Sequence, residues 1–180
     1  KNDLARISLV KSLTVLVEND EALSLIQDYI ARNPRDVEGS YLLGIVYRGM
    51  GRDAEAENQL RRAAKMQPAH FDVQYNLGVI LLRLNKAAEA EAHLRRALAI
   101  NPESSEARFQ LGNALRKQGK TEVAREEIAV FKQQREQTAQ ENSAAMTQAA
   151  GVFNEQVEDE RHSDRRKLDS FTRTVSHEMR

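Results

Sequence analysis

Four histidines, His70, His93, His162 and His177, are the residues best suited to metal binding or proton transfer. None of them has a second histidine or a pair of carboxylates at a spacing typical of a metal site. Glu158 stands four residues before His162, but two ligands are too few to hold a metal ion, and this helical spacing is more typical of a surface ion pair. The chain has no cysteine, which excludes thiolate sites and disulfides. We therefore predict no metal site.

The sequence also has no pattern typical of a catalytic nucleophile or of a phosphate-binding loop. Ser176 and His177 are adjacent, and adjacent residues of a helix do not face each other, so a nucleophile–base pair there is not expected. The sequence has neither G-x-x-x-x-G-K-[ST] nor G-x-G-x-x-G, the glycine-rich loops that cradle phosphates. The sequence therefore predicts a protein that is not an enzyme and uses no cofactor.

Charge and hydropathy exclude further classes of function. Lys+Arg and Asp+Glu both total 27, so the net charge is zero, which argues against a nucleic-acid partner. No apolar run approaches the roughly 18–20 residues that span a bilayer, so no transmembrane segment is predicted. The chain begins at Lys1, so we expect it to start inside a longer product, and its compartment, cytoplasmic or periplasmic, stays open.

A repeat of 34 residues organises the sequence. Pro, Gly, an aromatic residue, Leu, Ala and a large aliphatic residue each recur at this interval, at Pro34, Pro68 and Pro102; Gly44, Gly78 and Gly112; Tyr41, Tyr75 and Phe109; Leu43, Leu77 and Leu111; Ala22, Ala56, Ala90 and Ala124; and Ile26, Leu60, Leu94 and Ile128. Strong helix formers dominate, and only three prolines and eight glycines interrupt them. These features predict an all-α protein.

The repeats resemble the tetratricopeptide repeat family, whose unit also has 34 residues. The resemblance rests on the segments YLLGIVYRGMGRDAEAENQLRRAAKMQP, YNLGVILLRLNKAAEAEAHLRRALAINP and FQLGNALRKQGKTEVAREEIAVF. We place four repeats at 3–36, 37–70, 71–104 and 105–138, the first of them degenerate because Val10 stands where the others have glycine. The resemblance implies a right-handed α-solenoid of stacked antiparallel helix pairs, A and B, because a single pair cannot bury its own apolar face.

The second repeat shows the expected local structure. We expect its helix A over about Val37–Gly49, a turn at Gly51, and a helix B that ends near Met66, before Pro68. Asp53 is predicted to cap helix B, as is Thr121 in the fourth repeat. The glycines at 44, 78 and 112 are predicted to let helix A approach helix B closely, opposite the alanines at 56, 90 and 124.

In this family helix A lines the concave face, and the resemblance carries the groove positions over to ten residues: Tyr41, Ile45, Arg48, Tyr75, Asn76, Val79, Leu82, Phe109, Asn113 and Arg116. The aromatic ladder among them suits peptide capture, and the two asparagines suit hydrogen bonds to a peptide backbone. The alternative is that the ladder fills space between neighbouring A helices. Four cations, Arg48, Arg83, Arg116 and Lys117, favour an acidic partner or form a solvated rim.

One subset of the family holds the free C-terminal carboxylate of chaperone tails with a Lys/Asn/Lys/Arg clamp. This sequence departs from that clamp, because Ile45 and Val79 stand at inner positions where polar residues are wanted. We therefore do not expect recognition of chaperone tails.

The segment after Phe131 departs from the repeat, since Glu136 stands where the register predicts proline. Either helix B of the last repeat continues as one long helix, or residues 139–150 form a polar capping helix, with Gly151 as a break. Residues 152–180 are strongly charged, with an apolar stripe at Leu168, Phe171, Val175 and Met179. We expect residues 139–180 to be a capping or protruding helical segment that supports self-association, or else a frayed tail.

The last ten residues, Phe171-Thr172-Arg173-Thr174-Val175-Ser176-His177-Glu178-Met179-Arg180, resemble the H-box of sensor histidine kinases. By that resemblance His177 is the phospho-acceptor and Glu178 assists it. The family motif continues with Thr-Pro, whereas this sequence stops at Arg180, and it contains no ATP-binding domain.

Three hypotheses follow. The first is a protein-interaction scaffold, bacterial by its Ala-, Arg- and Gln-rich composition, that binds a protein or peptide segment in its groove. The second is the sensory or docking part of a truncated histidine kinase. The third is a structural unit that assembles with its own copies.

Overall fold

The computed structural model describes the backbone of residues 3–178 and the side chains of residues 3–149 together with Arg161 and Arg165. The described residues form eight α-helices and no strand: α1 (Asp3–Val15), α2 (Asn19–Arg32), α3 (Val37–Gly49), α4 (Asp53–Met66), α5 (Phe71–Arg83), α6 (Ala87–Ile100), α7 (Ser105–Lys117) and α8 (Thr121–Glu178). The all-α class is therefore confirmed. The chain divides into two compact units, residues 1–132 and 133–180.

The helices of the first unit form pairs joined by short turns. The bounds of α3 and the end of α4 at Met66, two residues before Pro68, are those expected from the sequence. Consecutive helices pack against each other from α1 to α7, and α1, α3, α5 and α7 also contact the next member of their own row. In residues 3–117, α2, α4 and α6 make no contact with one another. The odd-numbered helices therefore form the concave side of a stacked α-solenoid.

Small residues set the distance between the two helices of a pair. A Cβ atom added to Gly44 would lie 2.8 Å from Cγ of Leu60, and one added to Gly78 would lie 2.6 Å from Cγ of Leu94. At Gly112 the added Cβ would lie 2.7 Å from Cγ1 of Ile128. Real Cβ atoms do not approach other atoms this closely, so the predicted close approach at these glycines is confirmed.

The turn within each pair requires a left-handed backbone conformation. Gly51 and Gly119 have φ of 73° and 77°, and the residues at the equivalent positions of the other repeats, Val17 and Asn85, have φ of 64° and 59°. Glycine and asparagine tolerate this region, whereas a β-branched residue is strained there. The conformation is therefore a property of the repeat, and Val17 adopts it at a cost.

The predicted caps at Asp53 and Thr121 are wrong. Asp53 is the first helical residue of α4, whose N-cap is Arg52 with no side-chain hydrogen bond, and Thr121 is the first residue of α8. Side-chain caps occur instead on concave helices, where Asp36 accepts from the amide of Gly39 and Ser104 from that of Ala107. Asp53 still supplies negative charge to the first turn of α4, where the helix dipole favours it.

The described residues of the second unit all lie in α8, which is one continuous helix from Thr121 to Glu178. The predicted break at Gly151 and a separate capping helix over residues 139–150 are therefore wrong, and the alternative of one long helix is confirmed. The helix continues because no proline interrupts it, and one glycine costs a helix only about 1 kcal/mol. The side chains of the apolar stripe from Leu168 to Met179 lie outside the described residues.

Candidate partner-binding groove

The ten groove residues predicted from the sequence lie on α3, α5 and α7, the concave helices of the second, third and fourth repeats. The structure separates them into two groups. One group lies on α3 and the first half of α5, and four of its five residues, all except Ile45, make hydrogen bonds or ring contacts within the protein. The other lines an open cavity between α5 and α7.

Between α3 and α5, Asn76 connects two residues of the neighbouring helix. It is 5% exposed, its Oδ1 accepts a hydrogen bond from Arg48, and its Nδ2 lies 3.4 Å from the hydroxyl oxygen of Tyr41. The same Nδ2 donates to the carbonyl oxygen of Asp72 at 2.8 Å. The amide of Asn76 thus has protein partners for both of its polar atoms.

The aromatic ladder is partly a packing feature. The ring of Tyr41 lies 5.9 Å from the ring of His70, and Tyr75 stacks on Phe71 with ring centroids 6.0 Å apart. Burial, together with the charge of Asp72, raises the pKa of Tyr41 to about 12. Burial, with a contribution from Glu106, also raises the pKa of Tyr75. Both tyrosines pack against the hydrophobic core, as the packing alternative expects.

The third member of the ladder, Phe109, differs from the two tyrosines. It is 38% exposed, and its ring lies tilted against the ring of Phe131 with centroids 5.0 Å apart. Position 131 corresponds to Ala63 and Ala97 in the preceding repeats, both fully buried. The change from alanine in the second and third repeats to phenylalanine at position 131 is the sequence signal for this contact of Phe109.

A cavity of about 540 Å³ lies between α5 and α7. Five of the predicted groove residues line it, together with three that flank them: Val79, Leu82, Phe109, Asn113 and Arg116, with Arg83, Gln110 and Lys117. Its apolar residues come from α5 and from the start of α7, and its polar residues come mainly from the end of α7. The volume is in the range of pockets that accept small ligands or a few side chains. Tyr41, Ile45, Arg48, Tyr75 and Asn76 are not part of its lining.

Three cations border this cavity, and no carboxylate is among its lining residues. Arg116 donates to Oδ1 of Asn113 at 3.2 Å, and Lys117 donates to Oδ1 of Asn85 at 2.8 Å. Arg83 pairs with the carboxylate of Asp53 at 3.0 Å. Two of the three positive charges are therefore bonded to neutral amides, which compensate a charge less well than a carboxylate does.

Three other features examined in the sequence are metal ligands, membrane-spanning segments and the phospho-acceptor histidine. In the part of the chain that the structure describes, no three His, Asp or Glu side chains form a cluster able to hold a metal ion. None of the described helices combines the length and the apolar character of a membrane crossing. The side chains of Glu158, His162, Ser176 and His177 lie outside the described residues, so the proposed phospho-acceptor stays a prediction.

Solved structures provide the first comparison. A structure described as "Crystal structure of MamA" matches with a TM-score of 0.70 and 19% identity over 77% of this chain and 81% of that chain. The structure "MamA MSR-1 C2" matches with a TM-score of 0.67 and 21% identity over 77% and 79% of the two chains. YrrB, described as a TPR protein with an unusual peptide-binding site, has a TM-score of 0.66 and 26% identity over 72% of this chain and 66% of its own. At this identity the MamA structures indicate a shared fold.

Sequence comparison identifies the family. None of the curated proteins matches the sequence significantly. One family model described as tetratricopeptide repeat matches residues 18–60 and 41–105, and a second with the same description matches residues 81–149. The two matches together extend from the first described pair of helices into α8, through every repeat in which the 34-residue pattern was found. The chain therefore belongs to the tetratricopeptide repeat family.

Proposed function

We propose that this protein is a scaffold that binds a segment of a partner protein in its concave groove, and that the cavity between α5 and α7 is the centre of binding. Tetratricopeptide repeat proteins bind protein or peptide partners and are generally non-enzymatic, and one structural neighbour is described as having a peptide-binding site. The observation that carries the proposal is the cavity itself, which brings five predicted groove residues together.

The cavity suits a protein segment for two reasons. Val79 is partly exposed and Phe109 is more than a third exposed while packed against Phe131, so a ligand that covers them removes apolar surface from water, which stabilises the complex. The polar groups of Gln110 and Asn113 lie at the same cavity and supply the donors and acceptors that an extended backbone requires. A rigid helical support for both groups keeps the entropic cost of binding low.

The test compares two tryptophan substitutions. Asn113→Trp places a large side chain into the cavity, and Ala99→Trp places the same side chain on the exposed surface of α6 as a matched control. Both variants are first shown to retain helical content and a cooperative thermal transition. Immobilised protein is then used to capture partners from an extract of the source cells.

We expect wild type and Ala99→Trp to retain the same partner and Asn113→Trp to lose it. Equal recovery by all three proteins would show that binding does not use this cavity and would reject the proposal.

A further inference from the structure

The chemistry of the cavity between α5 and α7 indicates which kind of segment it accepts, and this inference rests on the function proposed above. We infer that the bound segment carries an acidic side chain next to a large apolar side chain. Apolar and cationic residues occupy different parts of the lining, and only one of its three cations is paired with a carboxylate.

The apolar part of the lining favours an aliphatic or aromatic side chain. At positions 48, 82 and 116, which are equivalent in the three repeats, the residues are Arg, Leu and Arg. Leu82 is 7% exposed and belongs to the hydrophobic core, so the accessible apolar surface of the lining comes from Val79 and from Phe109, which is 38% exposed. Apolar surface at this place is stabilised when another apolar side chain removes it from water.

The cationic part lies on the last turn of α7. Arg116 and Lys117 are both exposed, and their bonds go to the amide oxygens of Asn113 and Asn85. A carboxylate from a ligand can replace these neutral acceptors and gain a charge-assisted hydrogen bond, of the type for which arginine is suited. No carboxylate lines the cavity, and Asp53, which pairs with Arg83, does not compete for Arg116 or Lys117.

The remainder of the groove does not provide an equivalent place. Between α3 and α5, Arg48 also bonds to a neutral amide, that of Asn76, but Asn76 is 5% exposed and Arg48 itself is only partly exposed. Arg116 and Lys117, by contrast, are exposed. An acidic segment that enters the groove therefore finds both an apolar surface and incompletely compensated cations at the cavity between α5 and α7. The charge complementarity, more than the volume, determines what binds there.

The experiment uses the full chain and three immobilised pools of 12-residue peptides. Each pool has one fixed leucine, which is flanked on both sides by glutamate, by glutamine or by lysine, and its other positions vary among Ala, Ser, Thr and Asn. Apparent dissociation constants are measured by surface plasmon resonance at low and at physiological salt. The double variant Arg116→Gln/Lys117→Gln is compared with Arg96→Gln/Arg125→Gln, which removes the same charge from exposed positions on α6 and α8.

We expect the glutamate pool to bind at least about 10-fold more tightly than the glutamine pool, with a difference that shrinks as salt screens the charges. The Arg116/Lys117 variant should bind the glutamate and glutamine pools equally, and the control variant should behave as wild type.

Two other outcomes separate the inference from the proposed function. If the three pools bind equally well and Asn113→Trp abolishes binding of all of them, the groove binds peptides but the inferred acidic preference is wrong. If no pool binds and Asn113→Trp also leaves partner capture unchanged, both the inference and the proposed function are wrong.

Discussion

Lys120 donates to a carboxylate oxygen of Glu91 at 2.7 Å, and one repeat earlier Lys86 donates to Glu57 at the same distance. In both pairs the lysine immediately precedes the second helix of the next repeat, so the bond joins adjacent repeats. Arg95 also binds Glu91, at 3.0 Å, as Arg61 binds Glu57 at 2.8 Å. The 34-residue period therefore repeats an electrostatic contact between repeats as well as the core.

The Glu91 contact predicts a dependence of stability on pH. The hydrogen bond from Lys120 is the main cause that lowers the pKa of Glu91 to about 2, well below its ordinary value of 4.5, although burial opposes it. Because the pKa is depressed in the folded state, the stabilisation is complete above pH 4.5 and is lost as the pH falls towards 2. We expect Glu91→Gln to lower the free energy of unfolding by about 1 kcal/mol at pH 7, measured by urea denaturation.

The same measurement at low pH provides the check on the mechanism. The difference between wild type and Glu91→Gln should decrease below pH 4.5 and vanish near pH 2. Glu122→Gln is the control, because Glu122 is 79% exposed and pairs with Arg125 inside one helix. A Glu91→Gln effect that stays constant over this pH range would contradict the assignment.

Val17 predicts a stabilising substitution. Its φ of 64° lies in the region that costs an L-residue with a β-branched side chain roughly 1–2 kcal/mol, and its side chain is 70% exposed. Asparagine occurs at the equivalent position 85 with φ of 59°. We therefore expect Val17→Asn to raise the free energy of unfolding by about 1 kcal/mol and the melting temperature by a few degrees.

A second substitution distinguishes backbone strain from loss of an exposed apolar group. Val15 is 82% exposed and lies at the end of α1, so Val15→Asn removes a similar side chain without relieving a left-handed backbone. No increase in stability is expected for it. An equal increase in both variants would show that strain at Val17 is not the cause.

The contact between Gly78 and Leu94 predicts non-additive effects. Gly78→Ala places a methyl group 2.6 Å from Cγ of Leu94 and should cost about 1–3 kcal/mol by overpacking. Leu94→Ala alone should cost about 2–5 kcal/mol, since Leu94 is fully buried. In the double variant the added methyl group enters the vacated space, so its cost should be smaller than in wild type. Denaturation of the four proteins measures this coupling, and strict additivity would contradict the proposed contact.

Periodic features of the fold could be predicted from the sequence, and departures from the period could not. Gly44 and Gly78 recur because each pair of helices needs the same close approach, so their role follows from spacing alone. The residue type of Asp53 predicts an N-cap, but the turn places Arg52 at that position. The predicted and observed N-caps differ by one residue, and the capping preferences of residue types do not define a helix start to within one residue.

The contacts of the groove residues are also not predictable from the repeat spacing. Tyr41, Tyr75 and Phe109 occupy one column of the repeat, and the spacing treats them alike. The structure distinguishes them because of neighbours that are distant in sequence, His70 for Tyr41 and Phe131 for Phe109. A triple alanine substitution of this column would therefore combine a loss of packing with a loss of ligand surface, and single substitutions separate these effects better.

Asn76 and Asn113 allow packing and ligand binding to be tested separately, since the sequence predicts a hydrogen bond to a peptide backbone for both. Asn76 is buried and bonds to Arg48, Tyr41 and Asp72 within the protein, whereas Asn113 is partly exposed and lines the cavity between α5 and α7. We expect Asn76→Ala to lower the free energy of unfolding by about 1–3 kcal/mol, because it leaves buried polar groups without partners.

Asn113→Ala should change stability by less than about 0.5 kcal/mol, since its partners remain accessible to water. Its effect should appear in binding instead, as weaker capture of the partner measured at a temperature where both variants are folded. At the same temperature Asn76→Ala should bind as wild type does. Reversed results, with binding lost in Asn76→Ala and stability lost in Asn113→Ala, would place the ligand between α3 and α5 and contradict the assignment of the two halves of the groove.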